Sequence, residues 1–142
     1  MSSEQKSHHP FALPTSFFLH FDDIDPQHIA LVEQINLCVS KLEDGILENF
    51  EPLFAEFLRQ MAAHFEHEEG HMLDLGYSGL DWHRHHHAEC LERAHRLILD
   101  IREQGYAGIR ELRICFDDII YDIVHADLKF GEFLAMNGLT DR

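Results

Sequence analysis

The chain has 142 residues, 45% of them hydrophobic, enough for one domain with its own core. Eleven Lys and Arg against 26 Asp and Glu leave a formal net charge of −15, which argues against nucleic acid or an anionic membrane surface as partner. Residues 1–15 lack the basic start and apolar run of a secretory signal, and no apolar run approaches the ~20 residues that span a bilayer. The expectation is a cytoplasmic protein, and Cys38, Cys90 and Cys115, dispersed and without a CxxC, fit there as reduced thiols. The compositional anomaly is histidine, with 13 copies.

Residues 1–25 read as an irregular arm. Pro10 and Pro14 interrupt any helix, while Phe11, Phe17, Phe18 and Phe21 offer apolar surface for packing on the body. Asp25-Pro26 marks a helix start, with Asp as N-cap and Pro at the first helical position. From there His28, Leu31, Val32, Ile35, Val39 and Leu42 form one stripe, which ends at Asp44-Gly45.

A second helix is predicted from about Leu47 to Met72. Its stripe is Phe50, Leu53, Phe54, Phe57, Met61, His64, Phe65, Glu68 and Met72. Leu75 to Gly79 is a break. The third helix, from about Leu80 to Glu103, carries Leu80, His83, His87, Cys90, Leu91, Ala94, Leu97 and Ile101 inward, and Gln104-Gly105 ends it. The fourth, from about Ala107 to Leu134, carries Leu112, Phe116, Ile119, Ile120, Ile123, Asp127 and Phe130. Four amphipathic helices with short connections predict an all-α, up-down-up-down four-helix bundle over residues 26–134. The arm precedes it, and a tail at 135–142 follows.

Glu68 and Asp127 are acids inside apolar stripes. A buried carboxylate must be paired, protonated or bound to a metal. His64 and Glu68 are one turn apart, as are His83 and His87, so each pair shares a helix face. Reflecting the chain through its turns places His28 beside His64, Glu68 beside His87, and His83 opposite Asp127. One layer of the bundle therefore gathers His28, His64, Glu68, His83, His87 and Asp127. Six ligands suit two metal ions bridged by Glu68 and Asp127, with His83 and His87 on one ion and His28 and His64 on the other. Imidazole and carboxylate donors suit iron, and also manganese or zinc. Phe54, Phe57, Met61 and Ile119 read as a dry wall around a bound small molecule. The three tyrosines read as packing residues, as does Trp82, which precedes a ligand and could instead line the pocket.

These residues also carry a resemblance. Asp25-Pro26-Gln27-His28 resembles the DxQH of hemerythrins, His64 to Met72 their HFxxEExxM, and His83 to His87 their HxxxH, preceded by a Gly76-Tyr77 turn. The resemblance runs from about residue 17 to 133. It implies a non-haem site of two iron ions, oxo- or hydroxo-bridged when oxidised, that takes O₂ or small exogenous anions.

One position departs from that pattern. The family's last motif is a histidine followed five residues later by an aspartate. With Asp127 as the aspartate, Asp122 stands at the histidine position. A helical wheel puts His125 about 160–170° from the stripe centre and Asp122 about 110° from it. Asp122 is therefore the expected additional ligand, directly or through water, in place of His125. An anionic oxygen there favours the ferric state, which shifts the expectation from an oxygen carrier to an oxygen or redox sensor. The alternatives are an O₂ carrier or storage protein, and a di-iron enzyme acting on peroxide or NO. A ferritin-like oxidase fits poorly, since Glu92 and His95 fall on the order of 10 Å from Glu68 along the bundle. A further expectation is a covalently attached or associated signalling domain, such as a cyclic-di-nucleotide synthase or chemoreceptor.

Overall fold

A computed structural model describes residues 24–43 and 50–139, the side chains of Glu43, Val124 and His125 excepted. The arm before Ile24, the helix end at Asp44-Gly45, the start near Leu47, the last three residues of the tail and the facing of His125 lie outside the described residues. All regular structure among them is helical: α1 (Asp25–Glu43), α2 (Phe50–Leu75), α3 (Leu80–Gln104), α4 (Ile109–Tyr121), a π-helical turn (Asp122–Ala126) and α5 (Asp127–Met136). α4, the π-turn and α5 run on as one rod, the fourth of a four-helix bundle in which α1 packs on α2, α2 on α3 and α3 on α4.

Each start and stop has a local cause. The N–H groups of Gln27 and His28 both donate to the Ile24 carbonyl, so α1 opens one residue earlier than an Asp25 cap would place it. α2 stops where Gly76 turns left-handed at φ 72°, with Tyr77 N–H donating back to Met72. Gly105, at φ 86°, ends α3 in the same way, its N–H bonded to Ile101.

The predicted stripes are the buried faces, with Leu53, Val39, Leu42, Leu91 and Ile120 only partly covered. They assemble into two apolar clusters. The larger is built on Leu31, Ile35, Phe54, Phe57, Phe65, Leu97, Phe116 and Ile119. The smaller joins Ile24, Met72, Leu80, Phe130 and Leu134 at the other end of the bundle. Burying each such side chain contributes roughly 1.5–3 kcal/mol. On every rod the residues between the two clusters are polar: His28, then His64 with Glu68, then His83 with His87, then Asp122 with Asp127, all at most 2% exposed.

The fourth rod departs from a plain α-helix at this layer. Asp127 N–H donates to the Asp122 carbonyl five residues back, the i→i+5 bond of a π-bulge. At 3.6 residues per turn, five residues turn a side chain by about 140° off the starting face. The wider turn removes most of that offset. Asp122, expected at the flank, is 0% exposed.

Candidate metal centre

Asp127 sits at the middle of the polar layer. Its Oδ2 is 2.9 Å from His28 Nε2 and 3.7 Å from His64 Nε2, and its Oδ1 is 3.1 Å from His83 Nε2. Glu68 reaches the same groups from α2. Its Oε2 is 4.0 Å from His28 Nε2, and its Oε1 is 3.8 Å from His64 Nε2 and 3.5 Å from His87 Nε2. Two groups of donors result, His28, His64, Glu68 and Asp127, and Glu68, His83, His87 and Asp127, with the ligand atoms of each within 4.8 Å of one another. The two acids belong to both groups.

Half of these donor atoms have no hydrogen-bond partner in the protein, and neither has nearby Asp122. Both oxygens of Glu68, both of Asp122, His64 Nε2, His87 Nε2 and His28 Nδ1 are buried without a hydrogen bond. Unpaired buried carboxylate oxygens are costly, and three of the four lie within 4.0 Å of an imidazole nitrogen, the surroundings a cation requires. Two nitrogens and two carboxylate oxygens per group fit a non-haem transition metal.

The imidazoles are oriented for that task. His64 Nδ1 donates to Gln27 Oε1 at 2.9 Å, His87 Nδ1 to Glu69 Oε2 at 2.7 Å, and His83 Nδ1 leans on the Gly79 carbonyl at 3.4 Å. With a metal bound and the proton held on Nδ1, each Nε2 lone pair would be directed into the cluster. Gln27 and Glu69 hold two of the cluster histidines, a role that ligand spacing alone does not assign. Their cue is membership of the quoted motifs, Gln27 as the Gln of the DxQH-like stretch and Glu69 as the second acid of the HFxxEExxM-like one.

Electrostatics follow from the crowding. Burial pushes the Glu68 carboxyl well above its usual range, and the Asp127 charge adds to it. Burial would also raise Asp127, but hydrogen bonds, from His28 first and from His83, hold it well below. Burial works to lower His87, yet the carboxylates of Asp122 and Glu68 beside it lift it to about 11. Burial lowers His64.

Asp122 Oδ1 lies 3.4 Å from His87 Nε2 and 3.4 Å from His86 Nε2. His86 is 17% exposed and stacks on Trp82, ring centroids 5.0 Å apart. Trp82 itself is 53% exposed, so it is a surface residue rather than a packing one, as are Tyr106 and Tyr121. Tyr77 does pack, on Phe130 and Phe133. Trp82, Tyr77, His83, Tyr121 and Lys129 line a half-open cavity of about 280 Å³. Phe54, Phe57, Met61 and Ile119 are buried in the larger core cluster instead and do not line it. Glu92 and His95 are exposed, away from the cluster.

None of the described helices is long and apolar enough to cross a membrane. Cys38, Cys90 and Cys115 are buried free thiols.

Among curated proteins, a hemerythrin from Sipunculus nudus is 27% identical over 125 residues, which cover 88% of this chain and 94% of that protein. Neither family models nor solved structures give a significant match. Similarity along nearly the whole chain, with a buried histidine–carboxylate cluster inside an all-helical bundle, supports a hemerythrin-like domain.

Proposed function

We propose that this chain is a non-haem di-iron protein that senses oxygen or redox state. His28 and His64 would hold one iron and His83 and His87 the other, with Glu68 and Asp127 available to both. The two donor groups sharing both acids support that stoichiometry. Iron supplies reversible electron transfer and an affinity for O₂ or small anions. The chain's own residues set how it does so. Gln27 and Glu69 fix two ligand histidines through Nδ1, and Phe54, Phe57, Met61 and Ile119 keep the core beside the layer free of water.

The observation that carries the sensor reading is Asp122, buried, its oxygens unpaired, 3.4 Å from His87 Nε2. We assign it to the His83/His87 iron. An anionic ligand there stabilises the more positively charged ferric state, so reduced protein oxidises readily and the oxidation state reports on its surroundings. The output would pass to an attached or associated signalling domain.

Reconstitution with ferrous iron under nitrogen tests this. Expected are two irons per chain, absorption bands after air exposure that shift with azide, and oxidation within minutes. One iron or none per chain would overturn the di-iron reading. A reduced protein stable in air for hours would overturn the sensor role. The cavity at His83 favours a second reading, access of peroxide or NO to the site. Steady turnover of either would support it.

A further inference from the structure

His67 and His71 on α2 take no part in the buried cluster. They stand one turn apart toward the surface, His67 exposed and His71 partly so, with ring centroids 4.7 Å and Nε2 atoms 3.0 Å apart. On its other side His67 Nδ1 accepts a 2.6 Å hydrogen bond from the amide nitrogen of Gln27. The oxygen of that same amide holds His64 Nδ1. A continuous chain of contacts therefore runs His71–His67–Gln27–His64, from surface to cluster.

We propose that His67 and His71 form a second, surface site for a divalent transition metal, and that Gln27 ties its occupancy to the buried centre. At metal–nitrogen distances of about 2.0–2.1 Å, nitrogens 3.0 Å apart subtend about 91–97° at the ion. That is near the right angle of tetragonal copper(II) or nickel(II) and narrower than a tetrahedral zinc site wants. Water completes the coordination.

The tie to the centre follows from counting protons, and it rests on His64 being a ligand, which the surface site itself does not. His67 accepts from Gln27 at Nδ1, so its one proton lies on Nε2, toward His71. A metal bound at both Nε2 atoms displaces that proton, and neutral His67 then carries it on Nδ1, facing Gln27. To accept it, the Gln27 amide turns its oxygen over and aims its NH₂ at His64 Nδ1, already a donor. His64 then loses its partner or shifts its proton to Nε2, the atom offered to the buried metal. Either change weakens the His28/His64 position.

The test uses Ni²⁺. Calorimetric titration of the iron-loaded protein is expected to show one Ni²⁺ bound at least about tenfold more tightly than by His71→Ala or His67→Ala. Added Ni²⁺ is expected to speed iron loss to a chelator about tenfold in the wild type and to leave the rate unchanged in His71→Ala. Equal Ni²⁺ affinity in the wild type and both variants overturns the site. Tight Ni²⁺ binding with unaltered iron loss overturns the linkage. If the protein takes up no iron, the di-iron reading fails, while the same titration on metal-free protein still decides the surface site.

Discussion

The backbone N–H of Asp127 donates to the carbonyl of Asp122, and both carboxyl groups end fully buried in the same layer. One π-type hydrogen bond thus brings a second acid of the fourth rod to the imidazole of His87. Asp122→Asn keeps the shape and removes the charge. Reduced, iron-loaded Asp122→Asn is expected to oxidise in air about tenfold more slowly than wild type, equivalent to about 1.4 kcal/mol added to the activation barrier. The decay of the reduced form, followed by absorbance, measures it. Indistinguishable rates would mean Asp122 has no influence on the iron.

Glu69 holds His87 from outside the cluster, with Oε2 2.7 Å from Nδ1. Glu69→Gln retains an acceptor but loses the charge that strengthens this bond. Loss of such an outer partner costs about 10–100-fold in metal affinity. The variant is expected to give up one of its two irons to a chelator at the faster rate, because Gln27 still supports His64 on the other side. Iron retention equal to wild type would count against a role for Glu69 in orienting His87.

How far the chain can be read in advance divides along one physical line. Features with helical periodicity are legible: the stripes, the breaks at Gly76 and Gly105, and the six residues from His28 to Asp127 that the structure draws together. Asp122 is misplaced by a helical wheel because a wheel assumes 100° per residue, and the π-turn violates that assumption where the site lies. The contacts of Gln27, Glu69 and His86 are illegible because they form across helices, at the far nitrogens of ligands or beside Asp122. No spacing along the chain encodes them. Tyr121 reads as a packing residue from its apolar ring, whereas it stands at the surface beside the cavity at His83, which Trp82 lines, the alternative its place before a ligand left open.

Metal removal is expected to change what Glu68 does for the fold. With iron bound, its two buried oxygens are satisfied, and the bound metal stabilises the folded state by mass action. Without iron, burial and the Asp127 charge raise the Glu68 carboxyl well above its usual range, toward the neutral form that glutamine imitates. Glu68→Gln should therefore melt within a degree or two of wild type when both are metal-free, roughly the shift of a few tenths of a kcal/mol in a domain this size. It should lack the rise in melting temperature that iron gives the wild type. A large deficit in the metal-free variant would show that Glu68 contributes to folding without the metal.

The thiols give a prediction that does not involve the centre's metal. Burial pushes Cys38, Cys90 and Cys115 each up to about 12, with nearby negative charge adding to it: the Cys115 thiolate for Cys38, Asp122 for Cys90 and Asp118 for Cys115. Only the thiolate alkylates. At pH 8 the folded protein should therefore react with iodoacetamide on the order of 10³-fold more slowly than the urea-unfolded chain, whose thiols ionise near 8.5. The same shift sets a sign for stability. Because the folded pKa values are raised, the unfolded chain loses its thiol protons first, and stability is whole below about pH 8.5 and falls as pH climbs toward 12. Urea midpoints measured at pH 8 and pH 10 should decline, and replacing all three cysteines by alanine should shrink that decline. Rapid alkylation of the native protein at pH 8 would show that these cysteines are reached by solvent, against their burial in the core.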